Sequence, residues 1–580
     1  MNRSAGCIAA SCLLVFAFAA GCGTGPKPAD LIILNGRLVT VDDEMPAAQA
    51  LAARDGMIVA VGTDEEIERY RGMETKAIDL AGHLAIPGFI EGHAHFIAIG
   101  QSKLNIDLRK AKSWEEVVDI VAEVAGKAET GQWILGWGWH QDKWDSIPEM
   151  NVEGYPTHHL LSRATPDNPV MLKHAAGGHA GVINAAAMEL IGIDSSTPDP
   201  AGGKILHDSD GKPTGVLREK AYSTLALDAY ERALEELTPK EREAQRRREI
   251  ELAAEECLSN GVTSFQDAGS EFDEIDLLLR MAAEGRTGVR LWVMLGEDDN
   301  AILKERIKDY RILNAADGRF TVRAIKRYID GALGSHGAWL LKPYSDLPGS
   351  VGHNTSEIED LERAARIAIE NDFQLCVHAI GDRGNRETLD LYERIFATYP
   401  DKKGLRWRIE HAQHLHPDDI PRFAELDVVA SMQGIHCISD GPWVPTRLGE
   451  DRAESGAYVW RKLIDSGAVI SNGTDAPIED VNPIPGFYAL VTRRMSEGAA
   501  FYPEQRMTRM EALKAYTINA AYAAFEEEIK GSLTPGKLAD ITVLSEDILT
   551  VSEERILETK VLYTIVGGEV LYRGQVDVVR

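Results

Sequence analysis

The sequence predicts an α/β fold: a (β/α)8, TIM-like barrel with a large insertion after its first strand, plus a small β-sandwich domain formed by both ends of the chain. Three observations lead there. Short apolar runs in the middle of the chain alternate with amphipathic helical stretches, the pattern of a parallel sheet with right-handed crossovers. Both ends carry short strand-like runs separated by Asn-Gly, Asp-Gly and Gly-Gly turns. Side chains able to bind a metal fall where the apolar runs end, which is the end at which a barrel collects its functional groups. At 580 residues the chain is also well past the size at which one core stops growing.

Residues 1–22 read as a targeting leader. Arg3 supplies the positive end, residues 8–20 are apolar but short for a bilayer span, and Ala19-Ala20-Gly21-Cys22 follows. This resembles a bacterial lipoprotein signal in which Cys22 is lipidated, which predicts a cell-envelope protein held to the membrane only through a lipid anchor. Leucine is the usual residue three before the cysteine, and Ala19 stands there. Secretion as a soluble or periplasmic protein is the alternative.

The composite β-sandwich is expected over 29–86 and 531–580. Residues 31–41 read as two strands around the Asn35-Gly36 turn, residues 50–62 as a hairpin around Asp55-Gly56, and residues 560–573 as a hairpin around Gly567-Gly568. The barrel is expected over 87–530, with strands at 84–95, 261–267, 289–295, 321–330, 373–380, 405–411, 428–433 and 468–475. Helices lie between them, as at 357–371, where Ser356 and Glu359 have capping-box spacing, and at 386–398. Strands one and two are separated by roughly 165 residues, far more than a βα loop needs. The insertion, about 100–250, holds Trp133, Trp137, Trp139 and Trp144 and ends in a charged helix at 238–259.

The formal net charge of −29 argues against a nucleic-acid partner, since phosphate backbones are bound by clustered Lys and Arg. It leaves a small-molecule substrate as the expected partner. Three of the six cysteines, Cys7, Cys12 and Cys22, lie in the leader; Cys257, Cys376 and Cys437 remain scattered and suggest no disulfide framework.

The chemistry is read from the strand ends. His93 and His95 are spaced i, i+2, so on a strand they share a face. Strand four supplies Lys326 and, on the same face, Asp330; strand five His378; strand six His411; strand eight Asp475. Four histidines and an aspartate are good ligands for Zn²⁺ or a similar divalent ion, one or two in number. An ammonium has no lone pair, so Lys326 can bridge two ions only as a carbamate; otherwise it serves as an ion-pair partner of Asp330. Trp137 and Trp139 either line an apolar pocket or lie in the core.

The set closely resembles the amidohydrolase superfamily, and within it the branch often called amidohydrolase family 3, or YtcJ-like. The resemblance rests on six motifs in order, beginning at Pro87, Asp330, His378, Ile409, Gly473 and Leu533, and covers nearly everything after Asp30. It implies a metal-dependent hydrolase acting on an amide or related C–N bond other than a peptide bond, with Asp475 as general acid/base. His93, His95, Lys326, His378, His411 and Asp475 would be the ligands, and His179 resembles a substrate-contact position. Glu219 is a further candidate for the substrate pocket. Two residues depart from the pattern: His140, where Asp or Asn is usual, and His336, where Arg is common. The alternatives are C–O hydrolysis or isomerisation on the same scaffold, or a catalytically silent envelope binding protein.

Overall fold

The computed structural model describes residues 26–141, 144–174, 180–200, 203–235 and 238–574. The leader with Cys22, and His179, lie outside them. No helix among the described residues is long and apolar enough to cross a membrane. Cys257, Cys376 and Cys437 are buried and free, as expected.

Eight strands form the barrel: β1 (Phe89–Ala94), β2 (Val262–Ser270), β3 (Arg290–Leu295), β4 (Phe320–Tyr328), β5 (Gln374–Ala379), β6 (Arg408–His411), β7 (Val429–Gln433) and β8 (Ile470–Gly473). Each pairs in parallel with the next. Their residues are buried almost throughout, because helices cover the outside while side chains fill the inside. The two ends of the series meet where Asp475 N donates to His93 O at 2.8 Å, so the barrel is nearly closed.

The run read as one strand over 84–95 divides at Pro87-Gly88. Leu84–Pro87 pairs antiparallel with Ile541–Leu544 and parallel with Arg37–Val39, in a six-stranded sheet made from both ends of the chain. The barrel strand starts only at Phe89. The chain passes at Gly88 directly over β2, where a Cβ would lie 2.1 Å from Thr263 Oγ1.

The Asn35-Gly36 turn does not close a hairpin. Leu31–Leu34 enters a four-stranded sheet and Arg37–Val39 the six-stranded one, so the turn carries the chain between sheets. Leu31, Ile33, Leu38, Leu51, Ile541 and Ile565 share one core between the two. The hairpins at Asp55-Gly56 and Gly567-Gly568 form as expected. The capping box at Ser356 does not form. The helix starts one residue later than that spacing requires, with Glu357 as N-cap and no side-chain cap bond.

The insertion contains its own six-stranded sheet, drawn from residues 106–219 and mixed parallel and antiparallel. Helix α1 (Phe96–Leu104), leaving β1, packs on α2 (Pro239–Ser259), whose N-terminus carries a full capping box between Thr238 and Glu241. The contact is close enough that a Cβ on Gly100 would lie 1.7 Å from Glu249 O. Gly100→Val should therefore lower the unfolding free energy measured by chemical denaturation by an amount typical of overpacking, about 1–3 kcal/mol. Gly349→Ala, at a position with nothing within 4 Å, should change it by less than about 0.5 kcal/mol.

Candidate active site

The histidines of β1, β5 and β6 converge at the C-terminal mouth of the barrel. The His93 and His411 rings lie 4.7 Å apart, His378 and His411 4.4 Å, and His93 and His95 6.0 Å. Asp475, just past β8, brings Oδ1 to 3.4 Å from His95 Nε2 and 3.7 Å from His93 Nε2. Lys326 Nζ lies 3.5 Å from His93 Nε2 and 4.7 Å from the centre of the Tyr328 ring. Asp475 (φ 60°) and His411 (φ 74°) both take left-handed backbone conformations. Such strain persists only where the surroundings over-determine the conformation.

Interior bonds orient the imidazoles. His93 Nδ1 donates to Glu410, which leaves Nε2 facing Lys326 and Asp475. His411 Nδ1 donates to Gln433 Oε1 at 2.7 Å. Glu410 is held by Arg408, whose Nε lies 2.7 Å from Oε1. Arg408 also donates to Gly92 O and Ser431 Oγ, each at 2.7 Å, and to Gln266 Oε1. On the other side of β1, Glu91 accepts from His93 N, Thr474 N and Thr474 Oγ1 at 2.8–3.0 Å. Burial pushes the Glu91 carboxyl up to about 8.

The protonation states suit metal binding. Burial, with the Lys326 ammonium nearby, holds the His93 imidazole down to about 4 and His378 to about 3. Burial and the two neighbouring histidines keep His411 well below its ordinary value. Burial works against ionisation of Asp475, but the hydrogen bond from His95 and the surrounding imidazoles bring its carboxyl well below the usual range. Neutral imidazoles and an ionised carboxylate are the forms that bind a metal.

His93, His95 and Asp475 offer ligand atoms all within 4.8 Å of one another, and so do His411, His436 and Asp475. His378 Nε2 and His436 Nε2 are buried with no hydrogen-bond partner, a costly state for a polar atom that a metal ion would relieve. The donor set fits a divalent ion.

The structure thus gathers His93, His95, Lys326, His378, His411 and Asp475. Lys326 does not pair with Asp330, contrary to the ion-pair alternative. Asp330 lies beyond the end of β4 and instead accepts from Ile380 N, Gly381 N and Trp339 N at 2.8–2.9 Å, holding the loops around the β5 end.

His436, which sequence reasoning does not single out, is brought beside His411 and Asp475 by the fold. The available signal was its place four residues past β7's Met432, at the end of a strand that otherwise contributes no candidate. Glu410 was likewise passed over as a partner of His93, because residues 317 apart in sequence carry no pairing signal.

Among the insertion candidates, Trp137 lines a cavity of about 220 Å³ together with Ala476 and Pro477, the two residues that follow Asp475 in sequence. Trp139 is a core residue, its Nε1 donating to Leu172 O at 2.9 Å. Glu219 ends the strand next to the edge strand of the insertion sheet, opposite Gly203. His336 bonds through Nε2 to Asp346 at 3.2 Å.

With the geometry established, comparison with known proteins is informative. The sequence pattern of the amidohydrolase family matches residues 76–572. The chain is 33% identical to Protein LONG AFTER FAR-RED 3 of Arabidopsis thaliana, over 94% of this chain and 92% of that one. It is 31% identical to the putative amidohydrolase YtcJ of Bacillus subtilis, over 93% and 98%, and 28% identical to an N-substituted formamide deformylase of Arthrobacter pascens, over 94% and 98%. Among solved structures it resembles an uncharacterized metal-dependent hydrolase from Pyrococcus horikoshii (TM-score 0.73, 28% identity, 90% of this chain and 99% of that one). In fold alone it also resembles a zinc-complexed atrazine chlorohydrolase from Arthrobacter aurescens (TM-score 0.53, 15% identity, 95% and 97%).

The nearly closed parallel barrel and its strand-end donor set define a metal-dependent hydrolase. The chain belongs to the amidohydrolase family, in its YtcJ-like branch.

Two predictions follow from these contacts. Glu410→Gln should lower bound metal per chain and raise the metal dissociation constant about 10- to 100-fold, the usual cost of losing a carboxylate behind a ligating histidine; equilibrium dialysis measures it. His414 is buried with neither ring nitrogen hydrogen-bonded, and burial holds it down to about 3. A depressed histidine favours the native state above its unfolded pKa of about 6.5, and that contribution is lost as pH falls toward the folded value. His414→Leu should flatten the loss of stability between about pH 6.5 and 3 in urea titrations.

Proposed function

We propose that this protein hydrolyses an amide or related C–N bond of a small molecule, with Asp475 as general acid/base. The observation that carries this is the position of the Asp475 carboxylate: ionised, and within 3.4–3.7 Å of His95 Nε2 and His93 Nε2 at the barrel mouth.

His93, His95, His378, His411 and Asp475 would hold the ion, with zinc the fitting choice for a nitrogen-rich donor set. When bound, a divalent ion supplies Lewis acidity, lowering the pKa of water from about 15.7 to about 7 and polarising a substrate carbonyl. The chain's own residues do the rest. Asp475 accepts the proton of the attacking water and returns it to the leaving nitrogen. Glu410 and Gln433 fix the ring orientations of His93 and His411. Trp137 and the insertion supply substrate contacts, and the formamide deformylase relative makes N-formyl and N-acyl amines the first substrates to try.

Lys326 as a carbamate would join a second ion. Its place beside His93, with Nζ 3.5 Å from Nε2, supports that reading.

Asp475→Asn should reduce turnover about 10²- to 10⁴-fold, the range for loss of a general acid/base. A panel of N-formyl amines, N-acyl amines, cyclic amides and esters tests the bond class. Turnover confined to esters or lactones would refute C–N hydrolysis. Elemental analysis of wild type and Lys326→Ala tests the bridge: two ions falling to one or none is expected, and one ion in both removes the binuclear reading.

A further inference from the structure

A second cavity, of about 400 Å³ and open to solvent, lies between the insertion sheet and helices α1 and α2. Its walls follow from secondary-structure periodicity. On the sheet, Leu135 and Trp137 pair in register with Met171 and Lys173, so alternate residues of two adjacent strands present one face to the cavity. On α2, Arg242, Gln245, Arg246 and Glu249 recur at i, i+3, i+4 and i+7, a single helical stripe. Tyr222 and Tyr230 complete an aromatic flank with Trp137.

The charges are unbalanced. Glu249 is the one carboxylate among the described lining residues, and it is already occupied by Arg246 Nη1 at 2.9 Å, Gln245 Nε2 at 3.1 Å and Gln101 Nε2 at 3.4 Å. Among the described residues, neither Lys173 nor Arg242 has an ion-pair or hydrogen-bond partner. In a chain of net charge −29, two exposed cations on an aromatic cavity, with no ion pair among the described residues, stand out. Lys173 is exposed at the cavity, and its partial burial draws its ammonium pKa below the ordinary value. An anion in the cavity would supply the missing counter-charge, while Leu135, Met171 and the aromatic rings would cover an apolar body.

We infer that this cavity is a binding site for an organic anion, a carboxylate carrying an aromatic or branched aliphatic group, held by Lys173 and Arg242. The site is separate from the barrel-mouth cluster. Helix α1 starts at its N-cap His95 and reaches the cavity at Gln101 and Leu104, and nine residues of helix rise about 13 Å. The inference depends on neither a bound metal nor hydrolysis. The anion is either the far end of a long substrate or a separate ligand that acts on the insertion.

The test is calorimetric titration of the full-length protein with phenylacetate and 4-phenylbutyrate, and with phenylacetamide as the neutral match. The carboxylates should bind at least about tenfold more tightly than the amide, as expected for charge-assisted bonds, and added salt should weaken them. Lys173→Met/Arg242→Met should reduce carboxylate affinity about tenfold or more and leave the amide unchanged. Because the double variant could disturb folding, Lys173→Gln alone, at a solvent-reaching side chain, should still reduce carboxylate affinity severalfold with an unchanged melting temperature. Equal affinity for carboxylate and amide overturns the inference, as does wild-type affinity in both variants. Inhibition kinetics then separate the two sources while leaving the site standing: competition with substrate marks the far end of a substrate, and an effect on kcat without competition marks a separate ligand. Failure of the C–N substrate panel leaves these titrations unaffected.

Discussion

Arg408 is a fully buried cation in the middle of the barrel, and the active-site arrangement depends on how it is satisfied. A guanidinium in a low-dielectric interior is tolerated only when its charge is paired and hydrogen bonds satisfy most of its donors. Here the answers come from four directions: Glu410 on its own strand, Gly92 O on β1, Gln266 on β2 and Ser431 on β7. The result is a crosspiece linking strands on opposite walls. It also keeps Glu410 ionised and in place, which burial alone would oppose, and Glu410 in turn fixes the ring of His93. One buried charge therefore positions a candidate ligand that it does not touch.

The β1/β8 seam adds a second constraint. Glu91 lies close to the junction and bonds to Thr474 and the His93 backbone, while Asp475 N reaches His93 O. The candidate acid/base and the paired histidines are thus set by the same hydrogen bonds that bring the barrel nearly to closure. The left-handed conformations of His411 and Asp475 fall at the ends of strands held in this way, where local strain is carried by a rigid surround. The preorganisation is electrostatic as well as geometric. Burial keeps the His93, His378 and His411 imidazoles neutral, and the hydrogen bond from His95 favours the ionised form of Asp475.

The insertion meets the loop that follows β8. Its sheet has cores of its own, yet Trp137 stands between two cavities, one reaching Ala476 and Pro477, which follow Asp475 in sequence, and the other lined by Lys173 and Arg242. Arg109 stacks over the Trp137 ring at 4.6 Å and pairs with Asp480 at 2.9 Å, joining the insertion to the loop after β8.

The sequence alone determined the barrel class, its eight strand positions, most of the metal-capable residues and the hairpins at Asp55-Gly56 and Gly567-Gly568. These depend on local information: strand periodicity, turn chemistry and the tendency of barrel strands to carry function at one end. Tertiary structure decided the rest. The 84–95 run divides at Gly88 because its first half pairs with Ile541–Leu544, a partner supplied by the far end of the chain. Asn35-Gly36 joins two sheets rather than two paired strands because strand partners are chosen by global packing. Lys326 faces His93 rather than Asp330 because three backbone N–H groups already claim that carboxylate. Glu410, His436 and the cation-lined cavity could not be read from spacing, since each depends on side chains from distant segments meeting in a buried space. Periodicity reports the face on which a residue lies; only the folded chain determines what it meets there.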